Sequence, residues 1–210
     1  MKKTVILSIA LILSFGGCGN KKDSNTDISK NITNPPVITP TPEYSCEGGD
    51  TVNGFTLPAC PDQKLNDSTL LGIDANDNGV RDDVERWLII RYKDHHKIVT
   101  EIGFQADRAR RFMFVNPDKP EEARQLINGA QSCNSYFEHY ADLYNEPILI
   151  DHDIITSTAY KTIQLNTEQR IKAYLDYDRK LSGGVYKLPH IDEKKAFCDF
   201  DVDALLKETR

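Results

Sequence analysis

The chain has 210 residues, with 26 Lys and Arg against 32 Asp and Glu, and a formal net charge of −6. That acidic balance argues against nucleic acid or an anionic membrane surface as the main partner, since either would repel it. The length suits one folded domain with a real core, and the sequence contains no internal repeat.

Lys2 and Lys3 precede an apolar run from Val5 to Phe15 that is too short to span a bilayer as a free helix, and small residues then lead to Cys18. This is the layout of a secretory signal over residues 1–17. Gly16-Gly17-Cys18 resembles a bacterial lipobox, with Phe15 where that family usually has Leu. The resemblance implies cleavage before Cys18, acylation of Cys18, and attachment to a membrane through the lipid. Gly19 in place of Asp implies an outer-membrane lipoprotein, on its periplasmic or surface face. Residues 18–45 are rich in Asn, Ser, Thr and Pro and read as a flexible to semi-extended tether. Residues 46–210 remain as the folded domain.

Apart from Cys18 there are four cysteines: Cys46, Cys60, Cys133 and Cys198. An even number in an exported chain predicts two disulfides, with three pairings open. Between Cys46 and Cys60, Asn53-Gly54 is a strong two-residue hairpin turn, flanked by Thr51-Val52 and Phe55-Thr56-Leu57. Pairing across that turn sets Cys46 one residue out of register with Cys60, a slip that Gly48-Gly49 can absorb as a bulge. A hairpin alone is marginal in water, so a Cys46–Cys60 bond makes physical sense. Cys133–Cys198 is then the second pair.

The acidic stretch 74–85, DANDNGVRDDVE, occurs once. The segment RDDVERWLIIRYKD after it predicts a helix, with Asp82, Asp83 and Glu85 in a first turn that favours negative charge. HKIVTEIGFQADRARRFMF predicts a second, with Ile98, Ile102, Ala109, Phe112 and Met113 on a stripe, ended near Pro117. Residues 120–145 carry the best helical periodicity, through Ala123, Leu126, Ile127, Ala130, Cys133, Phe137, Tyr140, Ala141 and Tyr144. A shorter helix is expected in DIITSTAYKTIQL. A clearer one follows in NTEQRIKAYLDYDRKLSGG, capped by Asn166 or Thr167, with Ile171, Tyr174, Leu175 and Leu181 inward. The tail offers one or two short helices. The fold class is mostly α: a single helical domain with a small disulfide-linked β-hairpin at its N-terminus.

Residues 74–85 match D-x-[DN]-x-[DN]-G-x5-E along their full length, and so resemble an EF-hand calcium loop. The resemblance implies side-chain oxygens from Asp74, Asn76 and Asn78, a sharp bend at Gly79, and the backbone carbonyl of Val80. Asp82 would bind directly or through water, and Glu85 through both oxygens. Asp77 and Asp83 would add charge without touching Ca2+. The segment NDSTLLGI leaves room for at most two turns of entering helix, so the expected form is a single loop-helix variant with a structural ion. Three carboxylates with two neutral amides point to a Kd of about 10⁻⁵ to 10⁻³ M. The competing reading is an Asx-rich turn that caps a helix and holds no metal.

Other chemistry is thinner. His95 and His96 are neighbours, which on a helix do not face one point. Asp151, His152 and Asp153, with His139 or His190, would suit a metal or acid–base site only if the fold converged them. DRARR at 107–111 is expected as a basic face that pairs with the acidic surplus. There is no phosphate loop, Ser nucleophile motif or zinc signature, and export would oxidise cysteine thiols. The sequence therefore predicts a calcium-binding envelope lipoprotein acting as a binding or interaction module, with an envelope protein or peptidoglycan as possible partner. The rival expectation is an envelope hydrolase using His and Asp residues around 139–153.

Overall fold

The protein is described here from a computed structural model, over residues 44–208. The signal segment, Cys18 and nearly all of the tether lie outside these residues. The domain is mostly helical, with one small antiparallel hairpin. Strands β1 (Thr51–Val52) and β2 (Phe55–Thr56) pair Thr51 with Thr56 and Val52 with Phe55. Asn53 and Gly54 both take positive φ, +49° and +79°, as a two-residue turn of this twist requires. Farther out, Leu57 donates its N–H to the Asp50 carbonyl and accepts from the Gly49 N–H, so two residues face one. The Cys60 N–H then meets the Cys46 carbonyl at 2.9 Å, one residue displaced, and a disulfide joins the two cysteines. Gly48 makes this close approach possible: a Cβ there would sit 2.6 Å from the Ala59 nitrogen.

Among the described residues seven α-helices follow: α1 (Gln63–Asp67), α2 (Asp82–Arg91), α3 (Lys97–Val115), α4 (Pro120–Ser135), α5 (Thr158–Gln164), α6 (Glu168–Leu181) and α7 (Val202–Glu208). The central element is α3, against which α2, α4, α6 and α7 pack. Its Ile98, Ile102, Ala109 and Met113 are buried as the stripe predicts, but so are Val99, Phe104, Ala106, Asp107 and Arg110. A helix covered on several sides cannot keep a polar back. Gly103 lets α2 approach: a Cβ at this position would lie 2.4 Å from Leu88 Cδ2.

The long periodic segment does not remain one α-helix. After Ser135 the chain widens into a π-helical turn, Tyr136–Tyr140, then tightens into a 3₁₀ turn, Ala141–Tyr144, ended by Asn145 at φ +59°. Ala123, Ala130, Cys133, Phe137 and Ala141 are fully buried, whereas Leu126 and Tyr144 are largely exposed. On α6 the expected inward face is also corrected. Ile171 and Leu175 are exposed, and the fully buried side chain is Arg170. Thr167 caps this helix by accepting from the Arg170 N–H. The Cys133–Cys198 disulfide ties the 3₁₀ segment Ile191–Phe197 to α4.

Candidate metal centre

Residues 74–81 lie between α1 and α2, residues 82–85 form the first turn of α2, and the approach to the loop is held from outside it. The helix α1 ends at Asp67, so the stretch before Asp74 is not helical. Buried Arg170 braces it instead. Its guanidinium donates to the Leu70 and Thr69 carbonyls at 3.1 and 3.0 Å and also to the Asn66 carbonyl. The Asp82 N–H then donates to the Ile73 carbonyl at 2.9 Å and closes the base of the loop.

Inside the loop the short polar side chains replace helix or sheet partners, as Asx residues do in tight turns. Asp74 accepts from the Asn78 N–H at 3.1 Å and the Gly79 N–H at 3.0 Å. Asn78 Oδ1 accepts from the Val80 N–H at 2.8 Å, and Asp82 Oδ1 from the Ala75 N–H at 3.0 Å. Gly79 has φ +80°, a value that suits its bend and penalises other residues. The carboxylates of Asp74, Asp82 and Glu85 are almost out of water: the Asp74 side chain is 3% exposed, and Asp82 and Glu85 are 2% and 4% exposed.

This burial is electrostatically incomplete. The Asn76 amide donates to both oxygens of Glu85, at 3.3 and 3.2 Å, but no cation pairs with Glu85 among the described residues. Burial, aggravated by Asp82 and Asp74, pushes the Glu85 carboxyl up to about 7, although the Asn78 and Asn76 amides oppose the shift. Burial also raises Asp82. The nearest compensation is Arg111, whose guanidinium lies 3.5 Å from Asp74 Oδ2 and donates to the Leu71 carbonyl.

Among the described residues no three His, Cys, Asp or Glu side chains are grouped closely enough to hold a metal by themselves. The carboxylates of Asp74, Asp82 and Glu85 are each turned toward an N–H donor. Completing a coordination set requires the oxygens of Asn76 and Asn78 and the Val80 carbonyl. Asn76 presents its NH₂ to Glu85, and rotating that amide by half a turn would present its oxygen instead.

Several residues that fix the loop had no signal in the sequence. The backbone N–H of Arg81 donates to Asp107 in the middle of α3, at 3.0 Å. The Arg81 guanidinium reaches the Ile163 and Gln164 carbonyls and Asp83. Asp83, expected as bystander charge, also accepts from Asn66 and Asn166 and so joins α1 to the start of α6.

The remaining candidates do not converge on one site. His96 caps α3 by accepting from the Ile98 N–H, and His95 packs edge-on against Tyr92. His152 bonds Asp151 on the exposed surface. His139, Glu138 and Asp153 line a groove elsewhere, without His152. Of the basic face at 107–111, Arg108 pairs with Asp199 as expected, but Arg110 is buried and stacks over Tyr174. No family model, no curated protein and no solved structure matches the chain.

Proposed function

We propose that residues 74–85 bind Ca2+ and that the ion is a structural part of an exported, lipid-anchored binding module. Asp74, Asn76, Asn78, Asp82 and Glu85 supply side-chain oxygens, and Val80 its carbonyl. The observation that carries this reading is Glu85: a buried carboxylate whose charge the neighbouring Asp82 and Asp74 further disfavour, with amides but no cation beside it among the described residues. A divalent ion supplies the missing charge, and oxygen ligands suit calcium. The lipobox-like Gly16-Gly17-Cys18 supports a lipid anchor, Gly19 in place of Asp supports the outer membrane as its destination, and the Asn/Pro-rich tether supports reach toward an envelope protein or peptidoglycan. Calorimetric titration with calcium and thermal melting, each with and without chelator, test the proposal. A calcium-dependent rise in melting temperature that vanishes in Glu85→Gln supports it. No heat and no shift would reduce the loop to a metal-free cap.

A second reading, an envelope hydrolase, is favoured by one observation: Glu138, His139 and Asp153 share a groove. Turnover of an envelope saccharide or peptide, lost in His139→Ala, would replace binding with catalysis.

A further inference from the structure

The groove beside the π-helical turn is built for hydrogen bonding. It has a volume of 340 Å³, at the lower end of the roughly 300–1,000 Å³ typical of small-molecule sites. One wall is a face of α4, where Asn128, Gln131 and Ser135 follow at helical spacing. The π-helical turn, a rare element that recurs at functional sites, continues that wall with Glu138 and His139. The rest of the lining includes Asp153, Lys194 and the apolar pair Leu188 and Pro189.

Some of these groups are fixed and others are free. Glu138 is held between the Asn134 amide at 3.0 Å and the His139 ring at 3.5 Å, while Asn134 itself accepts from the Ile154 N–H. Asp153 accepts from the Thr156 N–H and hydroxyl, at 3.0 and 2.7 Å. Lys194 reaches the Ser135 hydroxyl at 3.3 Å and lies over the Tyr140 ring. The side-chain amides of Asn128 and Gln131 make no hydrogen bond among the described residues. Each offers a carbonyl acceptor and an NH₂ donor toward the groove.

Two carboxylates against one lysine give the walls a negative balance that disfavours an anion. The carboxylates are already bonded within the fold, which lessens their pull on a cation. What fits is a neutral molecule whose groups donate and accept at short intervals and which has an apolar face. Vicinal ring hydroxyls against planar amides and carboxylates, with ring C–H groups on Leu188 and Pro189, meet that description. We infer that this groove binds a neutral saccharide of one or two rings. The inference deepens the binding-module reading and rests on it, giving the module a ligand class and a place.

The test uses the full chain saturated with calcium. N,N′-diacetylchitobiose and cellobiose are titrated calorimetrically, with a hexuronate disaccharide in parallel. The expected result is saturable binding of at least one neutral disaccharide, weakened tenfold or more in Asn128→Ala and in Gln131→Ala. Their melting temperatures should not fall, because neither amide has a partner in the fold and Ala is the better helix former at both positions. Absence of heat with both neutral sugars, tighter binding of the uronate, or binding indifferent to both substitutions would each overturn the inference. Because calcium-dependent melting is measured on the same samples, a failed sugar titration beside an intact calcium shift sinks the groove alone. Loss of both sinks the earlier reading too.

Discussion

The Asp107 carboxylate accepts the backbone N–H of Arg81 at 3.0 Å, so the candidate calcium loop is anchored in the centre of α3. The other Asp107 oxygen accepts from the Gln164 amide, also at 3.0 Å, and Gln164 in turn donates to the Tyr160 hydroxyl. Loop, α3 and α5 are thereby one polar unit inside an apolar core.

Asp107→Ala should cost roughly 3 kcal/mol, because it leaves two buried donors without an acceptor. Urea denaturation measures the loss. If the anchoring matters for the metal, the same variant also weakens calcium in a titration. An unchanged denaturation midpoint would show that the bridge carries little.

In chelator, the domain should lose stability as pH rises from about 4.5 to 7. Glu85 ionises near 4.5 ordinarily but near 7 in the fold, where burial opposes its charge. Between those values the unfolded chain has released the proton and the folded chain has not. The stabilisation is complete below 4.5 and is lost as pH rises through the folded value. The span corresponds to about 3 kcal/mol. Burial raises Asp82, Asp107 and Glu101 in the same direction, whereas burial lowers His96, whose neutral form in the fold offsets part of the loss, so Glu85→Gln melted in parallel isolates the Glu85 share. Melting in chelator across this window measures the slope, and saturating calcium should flatten its upper end.

Glu85→Gln separates the two roles of that side chain. In chelator at pH 8 the variant should be at least as stable as the parent, because it removes a buried charge with no cationic partner. With calcium at about 100 times Kd the parent should gain about 2.7 kcal/mol and the variant should gain none. Equal calcium shifts in the two proteins would remove Glu85 from the site.

The two disulfides enclose unequal loops, with separations of 14 and 65 residues. In the chain-entropy account the shorter contributes about 3 kcal/mol and the longer about 4. Cys133→Ala with Cys198→Ala should therefore destabilise more than the Cys46, Cys60 pair of substitutions. It should also release the 3₁₀ segment from α4, seen as faster amide exchange over residues 191–197. Equal losses would mean that native-state contacts already hold the tail.

Local patterns were legible where local physics decides. The Asn53-Gly54 turn follows from two residues that tolerate positive φ, and the displaced cysteine register follows from counting back across it. Thr167 caps α6 because its hydroxyl can reach the Arg170 N–H three residues on. The helix after the acidic loop begins, as its first-turn carboxylates suggest, at Asp82. The bend at Gly79 is likewise written into residues a few positions apart.

What the sequence alone determined, then, was the class of fold, the hairpin with its bond and the bend at Gly79, because each depends on neighbours in the chain. Only the tertiary structure decided that Arg170 is buried while Ile171 beside it is not, since periodicity shows a face but not what covers it. It alone placed Asp107 under Arg81 and left Glu85 without a cation. Those relations join residues dozens of positions apart, and the cost or gain of burying a charge is fixed by everything that surrounds it.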